Sequence, residues 1–85
     1  MLKVYFTPQG QKDLQRLPID IQKRVIKKIK FFSQQQNPLF FAKPLTNLPP
    51  TTHRFRIGDY RVAFFITVTG MYIDRIKHRR EVYNI

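Results

Sequence analysis

The polar and apolar positions of this chain change period as they run from one end to the other. Residues 2–6 alternate weakly and are rich in β-formers, which predicts a short first strand. Thr7-Pro8 then gives a helix start, a hydroxyl cap followed by a residue tolerated at the first helical position. The helix expected over about 8–16 contains Gly10 and ends near Leu17-Pro18. Pro18 opens a second helix, in which Ile21, Val25, Ile29 and Phe32 recur four, four and three residues apart and form one apolar stripe. Lys23, Arg24, Lys27, Lys28 and Lys30 take the opposite side. Two such helices form an α-hairpin that requires an apolar surface to lie on.

From Ser33 to Pro50 the period is lost. Gln34-Gln35-Gln36-Asn37 ends the helix, and Pro38, Pro44, Pro49 and Pro50 forbid long regular elements. Leu39, Phe40, Phe41, Ala42, Leu45 and Leu48 make this connector too apolar for a free linker, so it is expected to pack on the domain. The last third reads as a β-meander, with strands near 53–57, 60–68 and 71–78 and two-residue turns at Gly58-Asp59 and Thr69-Gly70. The fold class is therefore α+β: a small single domain over 1–85, with an N-terminal strand and α-hairpin packed on an antiparallel sheet.

These turns set a register. Ile57 faces Tyr60 and Arg56 faces Arg61 across the first; Val68 faces Met71 and Arg61 faces His78 across the second. Arg56, Arg61 and His78 then form a row across three strands, with Arg54 diagonal to Arg61. Phe55, Ile57, Tyr60, Val62, Phe64, Ile66 and Val68 take the other face, toward the helical stripe. Ile73 and Ile76 have opposite phases on the third strand, so a β-bulge there would shift His78 by one residue.

Composition now narrows the function. Sixteen Lys and Arg against five Asp and Glu give a formal charge of +11. Self-repulsion at that density calls for a polyanionic partner: nucleic acid, an acidic protein or an anionic membrane surface. Solubility alone is a weaker explanation, because the two signs are not interspersed. Zero Cys excludes disulfides and thiolate metal sites and fits a reducing compartment. The start of the chain is too short for a signal-peptide core and no apolar stretch approaches the roughly 20 residues of a bilayer span, so a cytosolic protein with no membrane partner is expected. Two His and no clustered carboxylates argue against metal and carboxylate-pair chemistry, and no phosphate-binding glycine loop is present, so no cofactor is expected.

Like charges opposite one another destabilise a sheet, and a phosphate bound among Arg54, Arg56 and Arg61 supplies a reason for them, since guanidinium forks donate paired hydrogen bonds to phosphate oxygens. A solvated basic face with splayed side chains is the plainer alternative. His78 is the obvious proton-transfer group near neutral pH in this cluster. Tyr83 is either a core ring or a phenol aimed at substrate.

The stretch His53-Arg54-Phe55-Arg56-Ile57-Gly58-Asp59-Tyr60-Arg61-Val62, the connector Phe41-Ala42-Lys43-Pro44-Leu45 and the terminal Ile76-Lys77-His78-Arg79-Arg80-Glu81-Val82-Tyr83 resemble the RelE/ParE toxin superfamily over nearly the whole chain. The resemblance implies a toxin that cuts mRNA on the ribosome, by attack of a 2′-hydroxyl on the adjacent phosphate, and that is restrained by a cognate acidic antitoxin. Contacts with 16S rRNA are implied as well. By similarity Arg61 matches the strand arginine that holds the scissile phosphate, Arg54 and Arg56 match cationic positions on the preceding strand, and Tyr83 matches the terminal catalytic Tyr. Arg61, Tyr83, His78 and Arg54 are thus the expected catalytic set, with Arg56, Lys77, Arg79 and Arg80 binding RNA. Thr52 stands where the best-studied members carry Lys, and the second cationic catalytic position lies open among Lys77, His78 and Arg79. Two other readings are a ParE-like poison of DNA gyrase without nuclease activity and a non-catalytic basic nucleic-acid-binding module.

Overall fold

The computed structural model describes residues 2–81. Thr7 caps the first helix as its sequence requires: its Oγ1 accepts the Gly10 N–H at 3.1 Å, and Pro8 occupies the first helical position. The elements in chain order are strand β1 (Val4–Phe6), helices α1 (Pro8–Gln15) and α2 (Ile19–Ser33), strand β2 (Lys43–Pro44) and strands β3 (His53–Ile57), β4 (Tyr60–Thr67) and β5 (Gly70–His78). Single turns of 3₁₀ helix lie at Pro38–Phe41 and Arg79–Glu81.

The five strands form one sheet in the order β1-β5-β4-β3-β2. The meander β3-β4-β5 is antiparallel, and β2 joins β3 in the same sense. β1 instead pairs parallel with β5, Val4 against Met71 and Phe6 against Ile73, so the sheet is mixed. Periodicity cannot disclose this pairing, which joins residues far apart in the chain.

One face of the sheet carries the core. Val25, Ile29 and Phe32 of the α2 stripe pack with Phe55, Val62, Phe64, Met71, Ile73 and Ile76. Ile21 sits at the margin of this cluster, partly buried. Phe32 bridges to the connector, 5.2 Å from the stacked ring of Phe41 and 4.4 Å from Phe55. The connector thus packs on the domain through Phe41, while Phe40 beside it stands in solvent.

Two register expectations are corrected. The second hairpin turns at Val68-Thr69, not Thr69-Gly70: Thr67 pairs with Gly70 and Ile66 with Met71. Val68 is therefore at the tip and fully exposed rather than on the core face. Gly70 belongs to the strand because β1 approaches it closely; an added Cβ would lie 2.5 Å from the Lys3 carbonyl oxygen, which already accepts the Met71 N–H. Further along, a register shift between Ala63 and Phe64 sets Ala63 against Arg75 and Phe64 against Ile73, which leaves Asp74 as the extra residue. The opposite phases of Ile73 and Ile76 both reach the core by this device. Arg61 consequently faces Lys77, and His78 faces Tyr60. His78 is not in the arginine row.

Beyond Phe6 the edge of β5 is taken over by α1. Thr7 Oγ1 donates to Asp74 Oδ1 at 2.8 Å, and the buried carboxylate of Asp13 accepts the Ile76 N–H at 2.9 Å, the Gln9 amide at 3.1 Å and the Lys77 ammonium at 3.5 Å. A buried backbone N–H without an acceptor is costly, and a charge-assisted bond is worth more than a neutral one. Asp13→Ala is therefore expected to lower stability by about 2–3 kcal/mol, or a Tm drop on the order of 10–20 °C for a domain this small, with Asp13→Asn between it and wild type in thermal unfolding.

Candidate functional site

The face of the sheet opposite the core is built by the alternate residues of the same strands. Alternation and register lay out its rows. The first is Arg56-Arg61-Lys77 across β3, β4 and β5. The next is Lys43-Arg54-Ala63-Arg75, reaching from β2 to β5. Six cations of β2, β3, β4 and β5 thus lie within two adjacent rows, about 7 Å apart at the usual rise of a strand.

Burial and crowding both act on these cations. The Arg54 guanidinium is held below its ordinary pKa, first by burial and then by the charges of Arg61 and Arg56. It stays cationic at any working pH, so the repulsion persists and favours a bound anion. The Nε atoms of Arg61 and Arg75 are shut off from solvent, and Ala63 between Arg54 and Arg75 is fully buried although it lies on the face away from the helices. The stems of Arg61 and Arg75 therefore lie along the sheet, with Arg75 Nε 3.9 Å from the Asp74 carboxylate, while Arg56 is exposed. Guanidinium groups above a shared sheet face can donate paired hydrogen bonds to one phosphate.

The remaining sequence-predicted residues divide. Lys77 is in register with Arg61, yet its ammonium is drawn to Asp13, 3.5 Å away. Arg79 lies by the β3–β4 turn, its N–H bonded to the Asp59 carbonyl at 2.8 Å and its Nε 3.6 Å from the Asp59 carboxylate. Both of those side chains are largely exposed, so this pair adds little stability. Arg80 is exposed and joins the cluster through no described side-chain contact of its own; its N–H donates to Nδ1 of His78 at 3.1 Å. In the neutral ring that leaves the His78 proton on Nε2.

His78 turns to the helix side. Its ring meets Tyr60 edge-on at 5.2 Å, and the two line a cleft of about 310 Å³ with Asp13, Leu17 and Ile76. The His78 N–H donates to Glu81, so this residue anchors the Arg79–Glu81 turn from both its backbone and its ring. Tyr83 lies outside the described residues.

Sequence reasoning missed Arg75 and Lys43. Arg75 could not be assigned to a face without the bulge, which decides its phase, and Lys43 needed the short β2 pairing. It also passed over a row of rings on the same face, Tyr5-Tyr72-Phe65. Among the described residues no group of three or more His, Asp or Glu side chains could hold a metal ion, and no helix is long and apolar enough to cross a membrane.

The model of a family described as the ParE toxin of the type II toxin–antitoxin system, parDE, matches residues 4–83. Among solved structures the chain is similar to one in the RelBE2 toxin–antitoxin complex from Mycobacterium tuberculosis, with 31% identity, 92% of this chain and 98% of that chain covered, and a TM-score of 0.73. It is also similar to a chain of the RelB–RelE antitoxin–toxin complex from Methanococcus jannaschii, with 26% identity, 93% and 94% covered, and a TM-score of 0.68. No curated protein sequence matches significantly.

Proposed function

This chain belongs to the ParE toxin family of type II toxin–antitoxin systems, and we propose that it is a translation-inhibiting toxin that cleaves mRNA on the ribosome and is restrained by an acidic antitoxin. The observation that carries the reading is that Arg54, Arg56 and Arg61 share the face of the sheet away from the core, where burial first and the charges of Arg61 and Arg56 second hold the Arg54 guanidinium below its ordinary pKa. Three cations held in one place suit a reaction whose transition state gathers negative charge on phosphorus-bound oxygens.

In that reaction the 2′-oxygen forms a bond to the adjacent phosphorus and the bond to the 5′-oxygen breaks, giving a cyclic phosphate and a 5′-hydroxyl. The proton leaving the 2′-hydroxyl and the one gained by the 5′-oxygen need a carrier, which we assign to Tyr83 by the family resemblance. Arg61 and Arg54 would hold the non-bridging oxygens, with Arg56 and Arg79 on the flanking backbone. His78 then serves the site indirectly, by holding the Arg79–Glu81 turn. The ribosome supplies what this small surface lacks, the orientation of the 2′-hydroxyl in line with its leaving group.

The restraining partner is an inference from the two structural relatives, both crystallised as toxin–antitoxin complexes, and from the +11 charge of this chain. A cytoplasmic setting agrees with a ribosomal target.

The match to a ParE family, with the resemblance to gyrase-poisoning ParE toxins, favours a second reading, a gyrase poison that acts by protein contact. Primer extension on mRNA from cells briefly expressing the toxin separates the two. Codon-phased new 5′ ends that vanish when translation is blocked are expected. Growth arrest with DNA damage and no new ends would instead identify the gyrase poison.

A further inference from the structure

The face that carries the arginines continues past them. Two residues beyond Ala63 on β4 stands Phe65, and in register with it are Tyr72 on β5 and Tyr5 on β1. Their rings are stacked: Tyr5 on Tyr72 at 5.1 Å and 22°, Phe65 on Tyr72 at 5.2 Å and 8°. Tyr72 is steadied by its hydroxyl, 2.6 Å from Thr69 Oγ1. Tyr5 is 40% exposed, a large apolar surface for water to touch. Cross-strand ring pairs do stabilise sheets, but a structural role alone would favour the covered face, where burial of each ring is worth more.

The end of this ladder nearest the cations is open. On the β3 side of Phe65 the next position is Thr52, exposed and without a ring. One row along lies Arg54, and Arg61 is four residues down β4, about 13 Å at the rise of a strand. A planar base slotted over Thr52 would extend three stacked rings to four while its phosphates stayed beside Arg54 and Arg61. Single-stranded nucleic acid is bound by this pairing of a cationic track with aromatic faces.

We propose that Phe65, at the head of the Tyr5-Tyr72-Phe65 ladder, is a base-stacking subsite for single-stranded RNA, continuous with the phosphate site at Arg54 and Arg61. The proposal deepens the nuclease reading and rests on it for the identity of the ligand. Charge selects the occupant: a face with Arg54, Arg56, Arg61 and Arg75 beside the rings suits a polyanion with flat apolar bases. Stacking reads no hydrogen-bond pattern, so the subsite would grip RNA next to the cut without dictating its sequence.

The test uses the full chain freed of antitoxin and a fluorescent 2′-O-methyl oligoadenylate of about eight nucleotides, which cannot be cleaved because the attacking hydroxyl is blocked. Wild type is expected to bind it on the order of tenfold more tightly than an abasic strand of the same length. Phe65→Leu, which keeps the apolar bulk, should weaken binding of the oligoadenylate by roughly 5- to 50-fold and leave the abasic strand unaffected, while Phe65→Tyr restores it. Val68→Ala, at the exposed hairpin tip, should change neither. Equal affinity for the two strands in wild type overturns the subsite, and that comparison stands even if Phe65→Leu does not fold. So does normal RNA binding by Phe65→Leu with loss of antitoxin binding, which would give the ladder to a protein partner. Codon-phased ends from wild type in either of those cases would leave the nuclease reading intact; their absence would remove that reading independently.

Discussion

Replacing Arg61 by Ala is expected to lower mRNA cleavage by about two to three orders of magnitude, the loss typical when one preorganised donor to a developing oxyanion is removed. Binding should fall far less, because one phosphate contact among many is lost and the salt dependence shrinks by roughly one charge. Arg61→Lys separates charge from geometry. It keeps the cation but not the planar fork, so its activity should lie between the two, well below wild type. Single-turnover cleavage on programmed ribosomes reads the first effect and anisotropy at several salt concentrations the second. Arg61→Ala protein that cuts at the wild-type rate would remove the arginine row from the reaction. Equal losses of cutting and binding would make it a docking surface. Arg61 is half-buried, so thermal unfolding of each variant must accompany the comparison.

The second large effect concerns a single methyl group. Gly10 lies inside α1, where replacing Gly by Ala normally stabilises a helix by about 1 kcal/mol. Here the sign should reverse. A Cβ on Gly10 would be driven into the carbonyl oxygen of Ile73 and lie 2.9 Å from its carbon, both backbone atoms of β5 that cannot swing aside. The helix must then lift from the strand. That weakens the Thr7 N–H bond to Ile73 and the Asp13 bond to Ile76, on which the edge of β5 depends. Gly10→Ala is expected to lose about 3 kcal/mol or more, seen as a lower urea midpoint at unchanged slope. A variant more stable than wild type would show that α1 does not sit this close to β5.

Much of this architecture was legible because it is local. Thr7-Pro8 declares a helix start through its own chemistry, and the α2 stripe repeats within a few turns. Gly58-Asp59 sets the pairing of Arg56 with Arg61 across a two-residue turn, so half of the candidate site could be written down from the sequence. What failed depended on backbone events with no side-chain signature. The bulge at Asp74 moves the strand by one residue, which puts Lys77 rather than Ile76 opposite Arg61 and Arg75 rather than Asp74 beside Ala63; together with the turn at Val68-Thr69 it takes His78 out of the row. The opposed phases of Ile73 and Ile76 hinted at the shift but not at its consequences. Gly70 looked like a turn residue, while its lack of a side chain in fact serves the approach of β1. The aromatic ladder was hidden for a related reason: Tyr5 and Tyr72 become neighbours only through a parallel pairing across most of the chain. Phe65 gave the one available signal, since it falls in phase with Arg61 and Ala63 rather than with the core.

The way the sheet ends bears on what happens to the toxin once its partner is gone. Its outermost strands are three residues long on one side and two on the other, one of those two being Pro44, and past Phe6 the flank of β5 is occupied by Thr7 and Asp13. A bare strand edge invites further strands and, through them, fibrils; short edges, proline and covering helices deny that template. With copies also repelling one another at +11, liberated molecules have few routes into insoluble assemblies. The interval over which such a toxin acts would then be governed by recapture and degradation, not by precipitation.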